Sequence, residues 1–192
     1  MLVLTLGLAL FLGIHSTRVF ADDWRGAQIE RLGRNTWMAS YSLVSIAGLG
    51  IALWGYGMTR GEPVFIWYPP LWTHTVVALL MIPAFILLAA TYSPPNHIRS
   101  TFKHPMLLGV IIWSFAHLLA NGRLGDVLLF GAFLAWAFIT LRAACQRDGD
   151  ADAAPPNATL TGDAITIGAG LIGYVLFALY LHEWVAGVPA FR

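Results

Sequence analysis

Leu71-Trp-Thr-His-Thr-Val-Val-Ala-Leu-Leu-Met-Ile-Pro-Ala-Phe-Ile-Leu-Leu-Ala-Ala-Thr-Tyr92 runs without a single charge. A helix rises about 1.5 Å per residue, so about 20 apolar residues cross the roughly 30 Å hydrocarbon layer of a bilayer. Pro69-Pro70 stands before this run and Ser93-Pro94-Pro95-Asn96 after it, so turn residues close both ends. The same criterion, carried outward along the chain, yields six runs: 1–20, 36–56, 71–92, 105–120, 124–144 and 164–185. Asn121-Gly122-Arg123 predicts a tight turn between the fourth and fifth. The polar, Pro-rich stretch from Asp148 to Asn157 predicts a solvent loop. The expected fold is an all-α integral membrane protein, a bundle of about six transmembrane helices in a single domain over residues 1–192.

Composition agrees. Of the 192 residues, 58% are hydrophobic and 11% charged, whereas soluble domains carry about 25% charged residues. The net charge of +1, with its basic residues placed singly between apolar runs, excludes a nucleic-acid surface. The one cysteine, Cys145, excludes an internal disulfide, a Cys-x-x-Cys-His haem attachment and a thiolate-based zinc site. The first twenty residues lack the basic start and the Ala-x-Ala-like end of a secretory signal, so they are read as a helix.

Orientation follows from Lys and Arg in short loops. Arg18, Arg25, Arg31, Arg34, Arg99, Lys103, Arg142 and Arg147 follow helices one, three and five, against Arg60, Arg123 and Arg192 on the other face. The bias predicts both termini outward, in the periplasm for a bacterial inner (cytoplasmic) membrane protein. Gly48, Gly168, Gly170 and Gly173 offer flat surfaces for close helix approach.

Histidine inside a bilayer is costly unless paired or coordinated. His15 lies on the first helix, about 8 Å from its cytoplasmic end, and His117 lies thirteen residues beyond His104, about 20 Å higher. Neither has an obvious carboxylate partner. His74 stands beside Trp67, Tyr68 and Trp72 in what reads as an interfacial aromatic belt, His97 is in a loop, and His104 precedes Pro105 at a helix start. His182 nears the outer end of the last helix beside Glu183 and Trp184. Without a thiolate pair or a membrane-depth carboxylate cluster, neutral imidazoles suit haem iron, copper or zinc, and haem b also suits an apolar wall. Two helices clamping one macrocycle need Cα atoms about 12 Å apart. The depth offset of about 10 Å between His15 and His117 admits an oblique porphyrin between them.

Two motifs carry a resemblance: Leu10-Phe-Leu-Gly-Ile-His15-Ser-Thr-Arg18 and Lys103-His-Pro-Met-Leu-Leu-Gly-Val-Ile-Ile-Trp-Ser-Phe-Ala-His-Leu-Leu-Ala-Asn-Gly122. Together, with a last helix ending in His182-Glu-Trp-Val-Ala-Gly-Val188, the chain resembles the NnrU family over nearly its whole length. That family is associated with bacterial denitrification and related to the 15-cis-zeta-carotene isomerases of plants and cyanobacteria. The resemblance implies haem b held by histidines and a double-bond isomerisation governed by iron redox state. His15 and His117 map onto the axial ligands, with His104 and His182 as the next candidates. Arg18, three residues beyond His15, and Lys103 with His104 at the start of the fourth helix are then expected to face haem propionates. The chain is shorter between helices than the isomerases and differs after its fifth helix, which counts against a carotenoid substrate without removing it.

Lys103-His-Pro-x-x-x-Gly109 is also similar to the Arg-His-Pro-x-Tyr-x-Gly segment of isoprenylcysteine carboxyl methyltransferase-like enzymes, but Lys replaces Arg and Leu107 replaces Tyr. Methyl transfer therefore ranks below haem binding. Three classes stay open: a haem enzyme acting on a lipophilic small molecule or a nitrogen oxide, a non-catalytic haem sensor or electron carrier, and an accessory membrane subunit.

Overall fold

A computed structural model of the chain describes residues 1–149 and 157–190. Its elements are α1 (Leu2–His15), α2 (Thr17–Phe20), α3 (Asp22–Leu32), α4 (Arg34–Met58), α5 (Trp72–Tyr92), α6 (His97–Phe102), α7 (Pro105–Ala120), α8 (Leu124–Asp148), α9 (Leu160–Leu176), a π-helical turn (Phe177–Leu181) and α10 (His182–Ala186). Among the described residues, extended structure is confined to an isolated bridge between Phe65 and Arg123. Over the described residues the protein is all-helical, and four of their helices are long and apolar enough to cross a membrane: α4, α5, α8 and the run Leu160–Ala186. The first and fourth expected crossings correspond to the shorter apolar helices α1 and α7. Residues 150–156 of the expected loop lie outside the described residues.

The chain divides into two compact units: Met1–Trp67 with Gly122–Trp136, and Tyr68–Asn121 with Ala137–Arg192. In the first unit, α1 and α4 run antiparallel along a seam of glycines. A Cβ on Gly7 would strike the backbone of Ile51 and Ala52, one on Gly48 that of Phe11, and one on Gly55 that of Val3 and Leu4. Only hydrogen at these positions lets the two backbones touch, which is how apolar helices gain dispersion contact where lipid removes the hydrophobic drive. Leu4 and Ala52 are buried as a result.

Beyond that seam α1 ends at Ser16, whose N–H turns back to the Gly13 carbonyl at 3.0 Å, and the chain continues as α2. The first apolar run is thus divided at Ser16 rather than continuous over 1–20, and Ala21 leaves helical geometry at φ −147° just past its expected end. The polar α3 follows, its Trp24 ring set edge-on to Trp37 of α4 at 5.8 Å.

A polar clamp holds α4 to the start of α8. The Tyr56 hydroxyl donates to Asp126 Oδ1 at 2.7 Å, and Arg123 Nε donates to Asp126 Oδ2 at 3.0 Å. Asp126 is 1% exposed, so the charge-assisted bonds from Arg123 and the Tyr56 hydroxyl offset its desolvation.

The second unit is built on α5, whose start and stop fall where the prolines predict. Asn96, buried after those prolines, caps α6 by accepting from the Arg99 N–H at 2.7 Å and donates back to the Ala90 carbonyl at 3.2 Å. Gly109 brings α7 close to Ala84 and Leu88 of α5, and Gly170 brings α9 onto Ile86. Met81, Ala84 and Ala116 form the buried centre, wrapped by Val77, Leu80, Phe85, Ile112, Trp113 and Tyr174. Pro83 interrupts the hydrogen-bond ladder of α5. Nearer the start of the same helix, the Tyr174 hydroxyl of α9 donates to the Ala78 carbonyl at 3.0 Å.

Candidate functional site

Three histidines of the second unit, His74, His117 and His182, line one cavity of about 410 Å³ whose remaining wall is almost wholly apolar. This size lies in the range of small-molecule and cofactor sites. Helical spacing builds the wall. His74, Val77, Ala78, Met81, Phe85 and Leu88 recur every three or four residues and so share one face of α5, and Val110, Trp113 and His117 do the same on α7. Tyr174, Phe177, Ala178 and His182 complete it.

The imidazoles are held in a defined tautomer. His117 Nδ1 lies 2.9 Å from the Trp113 carbonyl one turn earlier, and His182 Nδ1 lies 2.8 Å from the Val188 carbonyl. A carbonyl oxygen only accepts, so Nδ1 carries the proton in each ring and Nε2 of the neutral imidazole carries the lone pair. This is the arrangement in which second-sphere carbonyls prepare histidine for a metal. The two rings lie 6.4 Å apart between centroids at 28°, flanked by Trp113 at 5.4 Å from His117 and Phe177 at 6.0 Å from His182.

His15 belongs to the first unit, where it repeats the local motif among aromatic rings. Its Nδ1 lies 2.6 Å from the Phe11 carbonyl, and its ring packs on Phe11 at 4.3 Å, Tyr41 at 5.2 Å and Trp136 at 6.1 Å. Arg18 lies three residues on, in α2. His117 and His15, named together from the sequence, therefore fall in different units, and the neighbour found for His117 within its own unit is His182.

Lys103 and His104 stand at the opposite end of α7 from His117, about 20 Å away along its axis. Lys103 has a left-handed backbone, φ 52°, at the joint between α6 and α7. His104 precedes Pro105 as expected, and its Nε2 is 2.8 Å from Asp148 Oδ2, an ion-pair contact out of line for a hydrogen bond. His97, expected as a solvated loop residue, is exposed but opens α6. Both its backbone N–H and its Nδ1 reach the Asp163 carboxylate of α9, at 2.7 and 2.8 Å.

Sequence reasoning missed the part played by His74. Its tryptophan and tyrosine neighbours suggested an interfacial belt; the residue is exposed, yet it also lines the cavity. The signal was present in the spacing of His74, Ala78, Met81 and Phe85. Among the described residues no group of three or more His, Cys, Asp or Glu is arranged to hold a metal ion. A porphyrin supplies four nitrogens of its own and asks the protein for only one or two axial ligands, so the paired imidazoles and apolar wall fit such a group.

A family model described as NnrU protein matches residues 3–190. No curated protein and no solved structure gives a match.

Proposed function

Because this chain belongs to the NnrU family, we propose that it is an integral membrane haem b protein with a redox-linked role, its cofactor held against His117. The observation that carries this reading is the apolar cavity of the second unit, with its imidazoles fixed by backbone carbonyls in the metal-ready tautomer. When bound, haem supplies one-electron redox chemistry and an iron able to take a further ligand.

The chain's own residues do the rest. Trp113 turns the His117 ring through its carbonyl, while Met81, Phe85 and Phe177 exclude water and present an apolar wall to a lipophilic substrate. The family motif names His15 as a further candidate ligand, and the geometry of the second unit names His182. Isomerase-like catalysis on a lipophilic molecule, or a denitrification-associated step on a nitrogen oxide, is the activity the family resemblance supports. A sensor or electron carrier is the alternative.

In the same reading, α1 and α7 complete six crossings of a bacterial inner membrane with both termini in the periplasm. The eight-to-three basic bias supports this, and a C-terminal reporter active only in the cytoplasm would overturn it.

The test of function is the absorption spectrum of the purified protein, oxidised and reduced. A Soret band that sharpens and shifts on reduction, and weakens in His117→Ala, is expected. Wild-type protein free of haem after supplementation would sink the reading. Carbon monoxide or nitric oxide binding by the reduced form separates a protein with an open iron position from a closed electron carrier.

A further inference from the structure

Resting on the membrane reading above and not on the haem, we infer that Arg60 and Arg123 form a site for the phosphate group of an anionic phospholipid at one end of the first unit. Both stand at the polar clamp between α4 and α8. Arg60 lies two residues beyond the end of α4, and Arg123 directly precedes α8. These are two of the helices long and apolar enough to cross a membrane, so both guanidiniums lie where headgroups begin.

The first observation is charge. Asp126 Oδ1 accepts from the Tyr56 hydroxyl at 2.7 Å and from Arg123 Nη2 at 3.4 Å, and Oδ2 accepts from the Arg123 backbone N–H at 3.1 Å and from its Nε at 3.0 Å. A carboxylate offers about four lone-pair sites, so the acceptor capacity of Asp126 is used. It neutralises Arg123 and leaves the charge of Arg60 over. Glu62, two residues beyond Arg60, is exposed and forms no ion pair with either arginine among the described residues.

The second observation is an orphaned donor. The Arg60 guanidinium carbon stands 5.0 Å from the centre of the Tyr56 ring, and its Nε is buried without a hydrogen-bond acceptor. A buried donor left unpaired is costly. A small turn of this half-buried side chain presents Nε and a terminal nitrogen as a fork, which two phosphate oxygens match. The third observation is the apolar surround. Val64 and Phe65 are exposed, and they are laid against the start of α8 by the bond from the Leu124 N–H to the Val64 carbonyl at 2.8 Å and by the bridge between Phe65 and Arg123. Basic groups between membrane-crossing helices, with apolar side chains beside them, suit a lipid whose acyl chains continue from its phosphate.

The experiment titrates the delipidated full chain, in a neutral detergent, with dihexanoyl phosphatidylglycerol, dihexanoyl phosphatidylcholine or inorganic phosphate. The unfolding midpoint and the native mass spectrum are read. Phosphatidylglycerol is expected to raise the midpoint saturably and to stay bound as a single lipid, while the zwitterionic lipid and inorganic phosphate bind about tenfold more weakly or less. Arg60→Gln is expected to weaken phosphatidylglycerol about tenfold, the worth of one hydrogen bond to a charged group. Arg60→Lys, which keeps the charge and loses the fork, should weaken it about threefold. Arg34→Gln, at the opposite end of α4, should leave it unchanged. Equal binding of the two lipids by wild type, or wild-type affinity in Arg60→Gln, would overturn the site while the membrane and haem readings stand. Where Arg60→Gln does not fold, Arg60→Lys decides, and wild-type affinity there removes the fork on which the site rests. Inorganic phosphate binding as tightly as phosphatidylglycerol would overturn the lipid assignment in favour of a free anion.

Discussion

The two units use the same apolar alphabet to opposite ends. In the first, hydrogen atoms at Gly7, Gly48 and Gly55 let α1 and α4 close on each other backbone to backbone, and the half-buried His15 packs against Phe11, Tyr41 and Trp136. In the second, glycines tether α7 and α9 to α5, but Met81, Phe85, Trp113 and Phe177 line a cavity rather than fill it. Hydropathy is the same for a seam and a cavity wall. Side-chain volume at the facing positions decides between them.

The contrast can be broken most forcefully in the first unit. Asp126→Ala strands the Arg123 guanidinium and the Tyr56 hydroxyl, and should cost about 3 kcal/mol because breaking a buried pair leaves its partner uncompensated. The midpoint of denaturation in detergent reads this directly, and an unchanged midpoint would remove the clamp from the account. Next comes Gly48→Leu, which drives side-chain bulk into the Phe11 backbone and should cost about 2 kcal/mol. Gly50→Leu, on the same helix with open space beyond it, should stay within about 0.5 kcal/mol. Equal costs for the two would deny that the seam is specific.

In the second unit, Tyr174→Phe removes one hydrogen bond to the Ala78 carbonyl and should cost about 1 kcal/mol. The smallest stability effect sharpens the comparison further. Ala78→Leu adds bulk to a cavity wall rather than a seam, so it should move stability by no more than about 0.5 kcal/mol. It should nonetheless lower haem content, and unchanged haem content with unchanged stability would detach the cofactor from this cavity.

What could be seen beforehand divides along physical lines. The ends of α5 were legible because proline and asparagine act locally, and α7 because Pro105 starts it and Asn121 ends it. The helix α3 was not, since Asp22-Asp-Trp-Arg-Gly-Ala-Gln-Ile-Glu-Arg-Leu32 has no apolar stripe and shows only as a charged connection. The break of the first run at Ser16 involves no proline or glycine, so hydropathy passed over it.

At the site, His117 stood out by depth alone. Its nearness to His182 depends on a π turn and on a carbonyl six residues further along, and nothing in the pattern of Phe-Ala-Leu-Tyr-Leu marks a change of helical pitch. His15 showed the same depth signal, yet the sequence could not say that its ring would be packed by three others.

The seam between α1 and α4 also bears on the lipid around it. Fourteen residues of α1 rise about 21 Å, whereas the apolar stretch of α4, residues 36–56, rises about 31 Å, so two helices in backbone contact differ in apolar length by about 10 Å. A bilayer core of about 30 Å would suit α4 and not α1, and mismatch costs a fraction of a kcal/mol per ångström. In such a bilayer, acyl chains beside α1 would have to shorten or disorder. The seam would then couple the protein to membrane thickness, felt first by the short helix that carries His15.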